Sequence, residues 1–585
     1  MSNIFSASIQ TTTQWLVEYF GKDEYKNASV EAWVFADKQQ RLAAESALLK
    51  LGVQSKIQST YKPLLHFFLE DMPLSCKEFV RAEVHYPIHK SAVRNRFLLE
   101  TYPLAGIFDE HLIDFIADTN SQNTYTVIFH LVTGETVTKK VFAPNHLHQD
   151  LINESRLSPT GWLRITDPSG NIIKNERLFT DYERLFHDGI LAISAYQWPK
   201  VEPHFEELNI QVFLPWKDEK LSYQQEVISL KEALHEDFYF SILEWFNVKS
   251  GYKLNSRQGQ PGQIIPEIIY SDNERISIKI ETRPYQLNTS TGRQILAKAS
   301  YPISMEQISE ELNRVSGSSF FTTTITGRTV QARYHKGEDS PVMISGGQHA
   351  NETTGVVGAL RAAQVLDQQP NSHFTISPLE NPDGYALHQR LIADNPYHMH
   401  HSARYTALGD DLESRDSHSL YEKEIRLIAR SLSRAKLHIN LHGYPSHEWT
   451  RPLSGYVPKG FDMWTLPKGF FIILRHRPQK EWREYAEAFL TLVTNELSKI
   501  KGLMEFNAKQ ISLYQKYTGE NNFRFINGFP CLISTSKSED VPIQLITEYP
   551  DETLYDEHFI EGHTVQKHTV LAAYHAHQKL SNSIS

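Results

Sequence analysis

The chain has 585 residues, 40% hydrophobic and 11% aromatic, with 59 Lys and Arg against 69 Asp and Glu for a net charge of -10. That length exceeds a single core and points to two to four domains, and the acidic balance argues against nucleic-acid binding or a polybasic membrane contact. Cys76 and Cys531 are the only cysteines, too few for a disulfide scaffold or a Cys-rich zinc module, so any metal falls to His and carboxylates. The start of the chain lacks a basic stretch leading into an apolar run, and no segment approaches the roughly 18 apolar residues of a membrane span. The expectation is a cytoplasmic protein.

Residues 30–36, VEAWVFA, read as a strand, and DKQQRLAAESALLKLG as a helix capped by Asp37 and stopped at Gly52. KIQSTYKPLLHFFL continues as a second strand. Two hairpins follow: TYTVIFHLVTGETVTKKVFA turns at Thr-Gly, and GWLRITDPSGNIIKNERLF turns at Asp-Pro-Ser-Gly. Residues 1–200 therefore read as an α+β domain, with a boundary at YQWPKVEP. Residues 201–302 read as a smaller α+β domain or connector, with an amphipathic helix over 230–251 and strands at QIIPEIIY and RISIKIETRPYQ. The aromatic run EDFYFSILEWF (236–246) has helical spacing and reads as core or a domain interface; a ligand-stacking face is the other option.

From 303 to 585 strands and helices alternate, as in an α/β domain. The helix SMEQISEELNRVS and the hairpin FTTTITGRTVQARYHKG lead into the buried strand PVMIS. There follow the helix GVVGALRAAQVLDQ, the strand HFTISPL, the helix SLYEKEIRLIARSLSRA and the strand KLHINLH. The strand GFFIILRH, the helix QKEWREYAEAFLTLVTNELSKI and the strand PIQLITEY complete the pattern.

Ligands collect at the carboxyl ends of strands in open α/β sheets, because loops and helix N-termini converge there. PVMIS ends in GGQHANE, with His349 and Glu352; KLHINL ends in His442; PIQLIT ends in Glu548; and HFTISPL ends in ENPDGY, expected to turn on the same edge. This placement separates His349/Glu352 from the same spacing at His204/Glu207, His335/Glu338 and His558/Glu561. Two imidazoles and one carboxylate suit Zn²⁺ with an open coordination position. A further carboxylate, Glu548, suits the transfer of a proton from water to a leaving amine. Gly346 and Gly347 give the backbone freedom to turn so that His349 and Glu352 reach one ion.

GGQHANE before a helix, then ENPDGY, a strand ending in LHGY and a strand ending in TEY together resemble the M14 family of zinc carboxypeptidases over about residues 303 to 580. The resemblance implies a C-terminal mixed-sheet α/β/α domain preceded by an α+β N-terminal region of one or two domains. It implies one Zn²⁺ on His349, Glu352 and His442, with Glu548 as general acid/base, and attack of zinc-activated water on an amide of a peptide or peptide-like substrate. Arg404 matches by position the family's oxyanion-stabilising Arg. The family's Asn-Arg pair, which grips a substrate carboxylate, is not matched: DDLESR puts Glu413 and Ser414 there, and an acidic residue repels a carboxylate. Arg415 and Arg451 are the candidates to take over that anchoring, and Tyr514 or Tyr517 to cap the substrate.

His398, His400 and His401 in YHMHHSAR read as a polar loop near the cleft, since adjacent residues point in different directions. His447 and Glu448 read as loop residues or as groups that hold His442. Two other functions stay open: a deacylase of the aspartoacylase and succinylglutamate desuccinylase type, whose HGNE resembles HANE, and a binding module with a disabled site.

Overall fold

The computed structural model describes residues 2–254, 256–286, 292–415, 419–457, 464–519, 522–536 and 541–581. Nine strands of the C-terminal half form one sheet among these residues. They are β1 (Ser318–Thr323), β2 (Thr329–His335), β3 (Val342–Gly346), β4 (Phe374–Ser377) and β5 (Leu437–Tyr444), then β6 (Phe471–His476), β7 (Arg524–Ile526), β8 (Phe529–Thr535) and β9 (Ile543–Pro550). The order is β1-β2-β4-β3-β5-β9-β6-β8-β7. The central run β4-β3-β5-β9 is parallel, and β6 joins β9 antiparallel, so the sheet is mixed.

Side-chain alternation splits the central strands between two layers. On β5, Leu437, Ile439 and Leu441 enter the main core with the helices Thr354–Asp367, Lys480–Leu497 and Asp556–Ser581. His438, Asn440 and His442 point to the other face. Met343 on β3 packs there against Ala429 of the helix Glu424–Ser433. Helices therefore cover both faces, giving the expected α/β/α arrangement.

Three local readings change. The strand expected across 56–69 ends at Ser59: Lys62 takes a φ of 52°, and Pro63, which has no N–H for a ladder, opens a helix instead. ENPDGY is a helix start rather than a free turn, with Asn381 accepting from the Gly384 N–H and Pro382 in the first turn of Pro382–Leu391. The strand carrying His442 runs on to Tyr444.

The division expected at residue 200 is crossed by a sheet. Ser2–Gln10 pairs with Arg275–Arg283, which pairs with Glu207–Leu214, and Gln263–Tyr270 completes the four strands. One apolar cluster runs from Leu16 through Phe246 and Ile280 to Leu453, Tyr456 and Tyr517, so the N-terminal region shares a core with the segment around Leu453 and the helix Leu503–Thr518 of the C-terminal half. Buried polar contacts tie the same surfaces. Lys62 pairs with Glu448, Glu232 with His447 at 2.9 Å, and Glu244 with Arg451 at 2.6 Å. Among the described residues no helix is long and apolar enough to cross a membrane.

Candidate metal centre

β3 delivers the chain to Gly347, whose φ of 60° places it in the left-handed region that glycine adopts without strain. A Cβ there would lie 2.7 Å from the Leu379 side chain. The turn brings His349 and Glu352 over the sheet edge before the helix Thr354–Asp367 begins. The register of β5, β9 and β6 sets His442, Glu548 and Phe471 in one row across the adjoining strands.

Three ligand residues converge. His349 Nδ1 lies 2.7 Å from Glu352 Oε1, His442 Nδ1 lies 2.9 Å from Glu352 Oε2, and the two Nδ1 atoms are 3.1 Å apart. Tetrahedral zinc about 2.1 Å from each ligand spaces its ligands about 3.4 Å apart, so small outward shifts fit this donor set to one ion. All three residues are buried. Their outer contacts suit ligands: Asp411 Oδ2 is 3.4 Å from His349 Nε2, and the Gly443 N–H donates to Glu352 Oε2 at 3.0 Å. Burial opposes charge on Glu352, but His349, Arg404 and His442 outweigh it and hold the carboxyl far below its usual range. Burial likewise keeps His442 low, which favours the neutral imidazole a metal needs.

One other trio among the described residues, His66, Glu70 and Glu219, also places ligand atoms within 4.8 Å. There Arg41 already donates to both Glu70 oxygens, at 3.0 and 2.8 Å, and a fixed guanidinium opposes a second cation.

His349 and His442 open into a cleft of about 190 Å³, which Glu548 and Arg404 also line. Arg404 Nη1 lies 2.6 Å from Glu352 Oε1 and 3.5 Å from Glu552 Oε1. Burial, and then the charge of Glu352, push the Glu548 carboxyl well above its usual range. Lys468 stands behind the cleft wall, its Nζ 4.6 Å from the Tyr444 ring and 4.5 Å from the Trp464 ring; burial pulls it down to about 7.

The residues expected to hold substrate lie elsewhere. Arg415 is committed to Asp410, at 2.6 and 2.8 Å, and to Glu422 at 3.1 Å. Arg451 donates to Glu244 at 2.6 Å, across the interface between the halves. Tyr514 is packed into the N-terminal core, and Tyr517 accepts from the Ala105 N–H at 3.0 Å. None of the four lines the cleft. Arg415 is taken up by carboxylates five and seven residues away, whereas Arg451 and Tyr517 are claimed by partners from the N-terminal half.

The cleft instead gathers Arg257, Arg475, Glu413, Phe240, Trp449 and Trp464. Glu413 is not a free repelling charge: Arg475 donates to it at 2.8 Å and Arg426 at 3.2 Å. Burial works against its ionisation, yet those two arginines hold its pKa down. The alternation of β6 is the one sequence signal for Arg475, because Ile473 and Arg475 share the face of Phe471. The three loop histidines find separate partners: His398 meets Asp218 at 2.8 Å, His400 the Asn395 carbonyl at 2.9 Å and His401 Glu236 at 2.5 Å.

No family model and no curated protein matches the chain. Solved metallo-carboxypeptidases resemble part of it. Carboxypeptidase A from Helicoverpa armigera is 10% identical, covering 64% of this chain and 98% of its own, with a TM-score of 0.31. Metallo-carboxypeptidase from Burkholderia cenocepacia is 12% identical, covering 54% of this chain and 74% of its own, with a TM-score of 0.30. The Pseudomonas aeruginosa metallo-carboxypeptidase in complex with (2-guanidinoethylmercapto)succinic acid is 11% identical with the same coverage and a TM-score of 0.29. At these scores the functional reading rests on the residues of the site.

Proposed function

We propose that the chain is a zinc-dependent hydrolase that cleaves an amide bond in a peptide or peptide-like substrate. The observation that carries this reading is the convergence of His349, Glu352 and His442 within 2.7 to 3.1 Å at a cleft that His349, His442, Glu548 and Arg404 line. One Zn²⁺ held by the trio would supply a Lewis acid that makes water nucleophilic at neutral pH and polarises the scissile carbonyl.

The remaining chemistry falls to side chains. Glu548, beside His442 across the β5–β9 register, takes the proton of the attacking water and delivers it to the leaving amine. Part of the upward push on its pKa comes from the charge of Glu352; that push lessens once Glu352 is neutralised as a ligand, which frees the base form. Arg404 turns its guanidinium toward the oxygen on which charge develops. Phe240, Trp449 and Trp464 border the cleft and limit the entry of bulk water.

Metal analysis combined with a peptide-library digest of the wild type and Glu548→Gln tests the proposal. The expected result is zinc in both proteins and turnover in the wild type alone. Turnover of N-acyl amino acids without turnover of peptides selects the deacylase function, and a wild type without zinc or turnover leaves the binding module.

A further inference from the structure

Two cleft residues, Phe240 and Arg257, come from outside the α/β half. Phe240 lies on the helix Leu230–Lys249, and the way that helix is held explains its reach. Glu236 and Glu244 lie one turn before and one turn after Phe240 on the same helix face. Glu236 binds His401 at 2.5 Å, and Glu244 binds Arg451 at 2.6 Å. Glu232 accepts from His447 at 2.9 Å, and Asp237 accepts from the Leu453 N–H at 2.9 Å. Carboxylates around Phe240 thus clamp the loops that carry His401, Arg404 and Trp449, and the ring between them is presented to the cleft.

Its neighbours there are aromatic. Phe240 stacks on Trp449 with centroids 5.4 Å apart and planes 18° apart, and it meets His401 edge-on at 4.8 Å. The Trp449 Nε1–H donates to the Trp464 carbonyl at 3.0 Å, which fixes the indole. Phe240 stays half-buried while Trp449 is almost fully covered, so the phenyl ring keeps surface to offer.

We propose that Phe240, backed by Trp449, is the specificity-determining wall for the acyl side of the substrate and selects a flat apolar group there. This inference rests on the amide-hydrolase reading. Glu548 hands its proton to the amine, so the amine side lies over the sheet floor of Ile473, Ile546 and Arg475. The acyl side then lies toward Arg404 and His401, where the aromatic wall stands. A ring stacked on Phe240 gains both burial and ring–ring attraction, which a methyl group cannot match.

The test uses zinc-loaded Glu548→Gln, in which ligands bind without being cleaved. N-benzoyl-leucine and N-acetyl-leucine, which differ only in the acyl group, are titrated by calorimetry. The expected result is that the benzoyl compound binds at least about fivefold tighter, from the usual strength of an aromatic pair added to the burial of the phenyl ring. In Glu548→Gln/Phe240→Ala the two should bind within about twofold of each other, with zinc content unchanged. Should the alanine variant fail to fold, Phe240→Leu keeps the volume without the ring and should likewise lose the preference. An equal benzoyl preference with and without the Phe240 ring, or no preference in Glu548→Gln itself, overturns the proposal. If the wild type cleaves no amide while the binding ratio holds, it is the hydrolase reading that fails and the aromatic subsite that stands.

Discussion

Arg404→Met separates two roles of one guanidinium by opposite signs. Arg404 Nη1 sits 2.6 Å from Glu352 Oε1, and that same oxygen is 2.7 Å from His349 Nδ1. In the metal-free protein the arginine therefore competes for an atom that a metal would claim. A hydrogen bond to a charged group contributes about 1.5–3 kcal/mol, and metal binding must displace it. Methionine fills similar space without charge, so zinc should bind about ten- to a hundredfold tighter, at about 1.4 kcal/mol per factor of ten. Turnover should move the other way: losing a donor to the developing oxyanion lowers kcat by a factor of about 10² to 10³. Chelator competition gives the zinc affinity, and steady-state kinetics on the same preparation gives kcat. Zinc bound more weakly than in the wild type, or kcat within about threefold of it, would refute the reasoning.

Glu548→Gln should keep stoichiometric zinc and lose about 10²- to 10⁴-fold in kcat, the usual contribution of a positioned general base; loss of zinc would make Glu548 a ligand instead. Lys62→Met removes the partner of Glu448, and both side chains are at most 3% exposed. Stranding a buried charge costs about 3–5 kcal/mol, read as a fall in the urea midpoint, and a change below about 1 kcal/mol would mean that the two halves do not depend on this pair. Burial lowers His388 to about 4 from its ordinary 6.5. Between those values the unfolded chain binds the extra proton, so stability falls as pH drops from 6.5 toward 4, by about 1.4 kcal/mol per pH unit for this residue. Denaturation of His388→Leu across that range should show a slope shallower by that amount, and an unchanged slope would count against the buried neutral ring.

Much of the C-terminal architecture is legible in sequence because its strands are short apolar runs closed by polar turns. KLHINLH shows this best: Leu437, Ile439 and Leu441 face the core while His438, Asn440 and His442 take the opposite face, the last two reaching the cleft. The convergence of His349, Glu352 and His442 follows from strand ends meeting on one edge. What stays hidden is pairing over long separations. Nothing near Arg451 in sequence announces Glu244 as a competing partner, and nothing near residue 10 announces its place beside Arg275; Arg415, by contrast, is held by its sequence neighbours Asp410 and Glu422. The aromatic run at 236–246 shows helical spacing, but only the carboxylate clamps decide that Phe240 faces the cleft. A proline and a left-handed Lys62 override the apolar pattern after Ser59.

The most direct test of the central claim is the zinc content of the purified chain after equilibration with zinc and removal of excess metal. One zinc per wild-type chain, reduced to none in His442→Ala with the fold retained, is the predicted result. A His442→Ala protein that still holds one zinc, or a wild type that binds none, would contradict the site.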